Sequence, residues 1–218
     1  MAPVEALRAE TGFTQRPVLR LLKRIPAQAG LGGGSSDAAA TLRLVNHVYR
    51  LGVANERLHE IAAELGSDVP FFVETSAALV QGRGERLTRM AIQEPTHVVV
   101  LKPTFGLSTA EMFRRSTIPT TRRKPNRLLA ALIVGLVDEI APELRNDLQS
   151  PAIAVAPEIA THVEALRQAG AVGAMMSGSG SAVFGLFPTR QSAIEASKRL
   201  KTAFPGEVFV AETFFERP

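Results

Sequence analysis

Cysteine and tryptophan are absent from this 218-residue chain, and tyrosine occurs once. Without cysteine there are no disulfides, no thiolate nucleophile and no cysteine-bound zinc, which fits a reducing compartment. The four histidines, His47, His59, His97 and His162, lie too far apart for metal-ligand spacing, so no metal-ligating residue is assigned. Long apolar runs are missing as well. The uncharged stretch Leu128–Val137 is far too short to span a bilayer. The first ten residues carry Glu5, Arg8 and Glu10 instead of the apolar core of a signal peptide. A cytoplasmic protein with no membrane partner is expected.

What is present suits a folded protein with substantial cores: 45% of residues are hydrophobic and 21% charged. The net charge of +4 and sequence pI of about 9.9 raise nucleic acid as a partner. The basic residues are mostly dispersed, however. The one dense run, Arg122-Arg123-Lys124-Pro125-Asn126-Arg127, has no interleaved aromatics for stacking on bases. It reads as a solvated loop, and no nucleic-acid partner is expected.

Periodicity divides the chain in two. In the first part, Val4–Glu10 reads as the end of a helix and Pro17–Leu22 as a strand. Ser35–Tyr49 has apolar residues at helical spacing. Asn55–Leu65 is a second helix, with Asn55 as N-cap and Gly66 as stop. Phe71–Val73, Ala77–Gln81 and Glu85–Met90 read as strands, the last two joined by Gly82-Arg83-Gly84. The second part runs Val98–Leu101 (strand), Thr109–Arg115, Arg127–Leu136 and Pro157–Ala169 (helices), Val172–Met176 and Ala182–Phe187 (strands), Thr189–Phe204 (helix) and Glu207–Phe215 (strand). Setting aside the extra helices, this is the βαββαβ order of a ferredoxin-like domain. Two α+β domains are expected, residues 1–94 and 95–218, with a boundary near Gln93–Thr96.

Between the first predicted strand and helix stand Gly30, Gly32, Gly33 and Gly34, with Ser35 and Ser36 at the helix start. Glycine weakens regular structure by roughly 1 kcal/mol per residue, so four together answer a geometric demand. One such demand is a backbone held close to an anion, with its N–H groups and the helix dipole aimed at phosphate. Ser35 and Ser36 can cap the helix and offer hydroxyls to phosphate or to a magnesium shell. Asp37 in the first turn suits the dipole but repels phosphate, and is expected to point away or toward a cation. No lysine follows at Walker spacing, no third glycine completes a dinucleotide fingerprint, and no Gly-x-Ser-x-Gly elbow occurs.

The run Pro26-Ala27-Gln28-Ala29-Gly30-Leu31-Gly32-Gly33-Gly34-Ser35-Ser36 resembles the ATP-binding motif of the GHMP kinases. Three further stretches resemble that family in its own order: Gly66-Ser67-Asp68-Val69-Pro70-Phe71-Phe72, Asn146-Asp147-Leu148, and Ser177-Gly178-Ser179-Gly180-Ser181. The resemblance implies an α+β GHMP kinase fold. In it an incomplete N-terminal domain of the ribosomal-protein-S5-like kind precedes a ferredoxin-like C-terminal domain. It implies ATP with Mg2+ as cofactors and Asp68 as the base that takes, or orients, the acceptor hydroxyl. Ser177, Gly178, Ser179 and Gly180 would form a substrate-binding turn. Within the family, these motifs point to a kinase acting on a cytidine-diphosphate-linked methylerythritol in non-mevalonate isoprenoid synthesis. A homoserine or mevalonate type of kinase, a catalytically silent nucleotide-binding remnant and a basic RNA-binding protein are the alternatives.

The family's N-terminal strand, with a lysine near the transferred phosphate, has no match before Arg20. Met1–Gln15 matches the helix that follows that strand. The expectation is a chain lacking that segment, prone to self-association and of reduced activity. Lys23 is expected at a strand end on the surface. Phe113 is either a core aromatic or a face for stacking on the cytosine, the core being the commoner case.

Overall fold

In the computed structural model the structure describes residues 2–74, 77–84, 86–117 and 124–213. The chain forms two compact units, one of residues 1–25 and 32–90, the other of residues 26–31 and 91–218.

In the first unit, α1 (Ala2–Thr11), α2 (Gly33–Val48), α3 (Asn55–Leu65) and α4 (Val69–Glu74) precede a hairpin of β1 (Ala78–Gln81) and β2 (Arg86–Arg89). The helices form because their apolar residues recur every three to four positions. Val4 and Leu7 of α1, Ala39, Leu42 and Val45 of α2, Leu58 and Ile61 of α3, and Val69 and Val73 of α4 close one core. Each buried leucine there contributes about 1.5–3 kcal/mol. Asn55 is the first helical residue of α3, and the cap position falls to Ala54.

Two strand expectations fail here. Phe71–Val73 lies inside α4: an apolar run this short does not distinguish helix from strand, and the helix lets Val69, Pro70 and Val73 all reach the core. Pro17–Leu22 forms no strand. A strand needs a neighbour's backbone groups, and none of the described strands pairs with it. Val18, Leu21 and Leu22 are exposed, Val18 at 97%. Glu85, the first residue of the expected strand before Met90, lies outside the described residues.

The second unit is built on β3 (His97–Lys102), followed by α5 (Thr109–Arg115), α6 (Asn126–Ile133), α7 (Val137–Ile140) and a 3-10 turn at Ala141–Glu143. Then come α8 (Gln149–Val155), α9 (Glu158–Gln168), β4 (Gly173–Met176), β5 (Val183–Phe187), α10 (Arg190–Ala203) and β6 (Glu207–Glu212). The four strands pair antiparallel in the order β4-β5-β3-β6, which is the ferredoxin-like order. Strand alternation sorts the residues of β3. Val99 and Leu101 face the core shared with Ile159, Val163 and Leu166 of α9 and Ala193 and Ala196 of α10. Val100 joins Ala29 and Ala182 in a separate cluster, with Leu31, Phe184 and Phe209 packed against it. The N-terminus of α10 is fixed by a capping box between Thr189 and Ser192. Arg122 and Arg123 of the basic run, and Phe214 and Phe215 at the end of the last expected strand, lie outside the described residues. No helix among the described residues is long and apolar enough to cross a membrane.

Candidate active site

In the first unit the glycine segment becomes the start of α2. The helix begins at Gly33, two residues before the expected position, because Gly32 takes the cap position in a left-handed conformation (φ 66°) that glycine adopts without penalty. Ser35 and Ser36 therefore lie inside the first turn and do not cap it. Ser36 Oγ donates to Gly33 O at 2.9 Å, while Ser35 Oγ has no hydrogen bond among the described residues. The first amide to enter the helical ladder is that of Ser36, which donates to Gly32 O at 2.9 Å. The amides of Gly33, Gly34 and Ser35 precede it and have no acceptor within the helix. A Cβ at Gly34 would meet nothing within 4 Å, so this face of the turn is open. Asp37 forms an ion pair with Lys23, as expected of an aspartate that points to a cation. Lys23 is thus not a strand-end residue but lies against the first turn of α2, where a Cβ on Gly33 would meet its Nζ at 3.1 Å.

Asp68 also belongs to this unit. It is exposed and immediately precedes α4. Gly66 O accepts from Val69 N at 3.1 Å, which closes the turn around Ser67 and Asp68. Among the described residues the Asp68 carboxylate makes no ion pair or hydrogen bond. Its backbone is pinned by the buried Val69 and Pro70 that follow.

Pro26, Ala27, Gln28, Ala29, Gly30 and Leu31 are part of the second unit, knitted to the Ser177–Ser181 turn. Ser181 N donates to Gln28 O at 3.2 Å and Ala182 N to Ala29 O at 3.1 Å. Ser177 Oγ donates to Gly30 O at 2.9 Å. Gly30 has φ +70°, and a Cβ there would sit 2.1 Å from Ser177 O. Glycine is required for this approach. Ser179 is buried, and its hydroxyl lies 2.8 Å from Thr109 Oγ1 at the start of α5. Gly178 and Gly180 complete the turn, with Gly180 N donating to Ser177 O at 2.9 Å. Phe113 stands one helical turn beyond Thr109, on the same face of α5. It is 62% exposed and so is not the core aromatic that its spacing suggested.

Three supporting residues escaped the sequence reading. Asn146 Nδ2 donates to Met176 O at 2.9 Å and to Gly178 O at 2.7 Å. Thr109 reaches Ser179. Lys102, 7% exposed, donates to the carbonyls of Pro103 and Phe105, and Phe105 O also accepts from Ser181 Oγ at 2.6 Å. Asn146 carried a signal in the Asn-Asp-Leu motif. Lys102 carried none, since a lysine ending a strand reads as solvated.

Two family models match this frame: "GHMP kinases N terminal domain" over residues 2–75 and "GHMP kinases C terminal" over residues 128–206. The 4-diphosphocytidyl-2-C-methyl-D-erythritol kinase of Pelotomaculum thermopropionicum is 40% identical over 215 residues, covering 98% of this chain and 75% of that protein. Its counterpart from Syntrophomonas wolfei is 38% identical over 212 residues, covering 96% and 74%. A crystal structure of 4-(cytidine 5'-diphospho)-2C-methyl-D-erythritol kinase is 33% identical with a TM-score of 0.80, covering 97% of this chain and 77% of that one. The chain belongs to the GHMP kinases, ATP-dependent phosphotransferases, and within them to the 4-diphosphocytidyl-2-C-methyl-D-erythritol kinase family.

Proposed function

We propose that this protein transfers the γ-phosphoryl group of ATP to a hydroxyl of 4-diphosphocytidyl-2-C-methyl-D-erythritol, serving non-mevalonate isoprenoid synthesis. The observation that carries the reading is the similarity to kinases of that name across nearly the whole chain. The start of α2 suits phosphate: among the described residues the amides of Gly33, Gly34 and Ser35 donate to nothing, a Cβ on Gly34 would meet nothing within 4 Å, and the positive end of the helix dipole is there. Residues 26–36 are the proposed ATP-binding segment. Mg2+ supplies charge neutralisation for the transferring phosphate, and the unpaired Ser35 hydroxyl is a suitable group for its shell.

Asp68 is the proposed base. The acceptor oxygen attacks the γ-phosphorus, the bond to the ADP oxygen breaks, and the hydroxyl proton passes to the Asp68 carboxylate and then to solvent. Among the described residues nothing bonds to its carboxylate, which leaves it available for that proton. On the second unit, Ser177, Gly178, Ser179 and Gly180 are the proposed substrate-binding turn, and the exposed Phe113 offers a face for the cytosine. In functional terms residues 1–94 make the ATP-binding domain and residues 95–218 the second domain, although Pro26–Leu31 are built onto the second unit.

ADP release measured with the cytidine compound, mevalonate and homoserine in parallel tests the reading. Turnover of the cytidine compound is expected, and turnover of mevalonate or homoserine without it overturns the assignment.

A further inference from the structure

We propose that Asn146 is a positioning residue that sets the shape of the Ser177–Gly180 turn. The inference rests on the reading that this turn binds substrate. A primary amide has two N–H donors and one carbonyl. In Asn146 both donors are spent, on Met176 O and Gly178 O, so none remains for a ligand. Its Oδ1 accepts from Leu148 N at 2.9 Å, a local bond that fixes the direction of the side chain before the turn is engaged.

The two carbonyls it holds flank Ser177. That arrangement fixes the peptide that precedes Ser177 and the one that follows Gly178, bracketing the residue whose hydroxyl donates to Gly30 O. Gln149 adds a third tie, its Oε1 accepting from Met176 N at 2.8 Å. Asn146 therefore acts through Ser177 on both glycine-rich pieces of the second unit. Aspartate cannot replace it: a carboxylate has nearly the same shape but would face two carbonyl oxygens with no proton to give.

That contrast supplies the test. Asn146→Asp keeps an acceptor for Leu148 N and so preserves any role in opening α8, while Asn146→Ala removes both functions. The full chain is used for hydrogen exchange without ligand and for steady-state kinetics with ATP and the cytidine compound. In both variants the Ser177 and Gly180 amides are expected to exchange about tenfold faster, with α9 and α10 unchanged. KM for the cytidine compound is expected to rise about tenfold, with kcat within about threefold of wild type.

Wild-type exchange and KM in Asn146→Asp would overturn the proposal. So would exchange that accelerates throughout the unit while kcat falls at constant KM, since that describes a folding residue. A wild-type chain that ignores the cytidine compound defeats the substrate reading instead, and the exchange measurement then decides the role of Asn146 by itself.

Discussion

At Gly32–Ser36, among the described residues, the amides of Gly33, Gly34 and Ser35 and the Ser35 hydroxyl have no partner, and a Cβ on Gly34 would meet nothing within 4 Å. At Ser177–Ser181 all three hydroxyls are tied, along with several backbone groups: Ser177 to Gly30 and Ala182, Gly178 O to Asn146, Ser179 to Thr109, Ser181 to Gln28 and Phe105. Both segments are short and built only of glycine and serine. The first leaves its donors for a ligand. The second commits its hydroxyls to its own architecture, and among the described residues only its Gly178 and Ser179 amides are left without an acceptor. Glycine serves conformation and access in the one, close backbone approach in the other. The two aspartates of the first unit divide in the same way, Asp37 held by Lys23 and Asp68 without an ion pair among the described residues.

Asp68→Asn gives the largest expected effect. It should lower kcat about 10²–10⁴-fold with little change in KM for ATP, read by ADP release; a loss below tenfold would remove Asp68 from proton transfer. Next is the paired comparison Gly30→Ala and Gly34→Ala. At Gly30 the added methyl meets Ser177 O and a positive φ, so thermal unfolding should show a loss of about 1–3 kcal/mol or more. At Gly34 stability should hold or rise by up to about 1 kcal/mol, because alanine favours the helix. There the methyl intrudes on the open face, and ATP affinity should fall about tenfold in a titration. Equal destabilisation by the two alanines would erase the distinction between the segments.

The smallest effect belongs to the helix layer of the second unit. His162 packs edge-on to Phe204 at 4.9 Å between ring centroids, and its burial holds its pKa below the ordinary histidine value, with Glu158 opposing. The folded state thus disfavours the proton. This contribution to stability is complete above about pH 6.5 and is lost as pH falls through the depressed folded value. Melting curves between pH 5 and 7 should be flatter for His162→Phe than for wild type.

The sequence made much of this frame legible, for physical reasons that differ by element. The spacing of Leu58, Ile61 and Ala62 specifies a helix locally, so α3 is legible over Asn55–Leu65 except for its cap, which falls to Ala54, and Thr109–Arg115 is legible as α5. The order of strands and helices after His97 named the ferredoxin-like sheet before any pairing was known. Pro17–Leu22 was misread because a strand is a property of two segments, and no sequence window contains its partner. The early start of α2 was hidden because the cap is a backbone conformation of Gly32, with no side chain to announce it. Phe113 was misjudged because helical spacing says which face a residue lies on, not whether anything packs there. The roles of Asn146 and Lys102 depend on carbonyls brought to them by the chain's path, and composition holds no trace of those.

The open side of Gly34 has a practical consequence when set beside the lack of cysteine. A single Gly34→Cys change would give the chain its sole thiol, at a helical position where a Cβ meets nothing within 4 Å. A fluorophore attached there would occupy the face proposed for ATP, so the loss of nucleotide binding on labelling would test that face, in a protein with no tryptophan emission and no competing sulfhydryl.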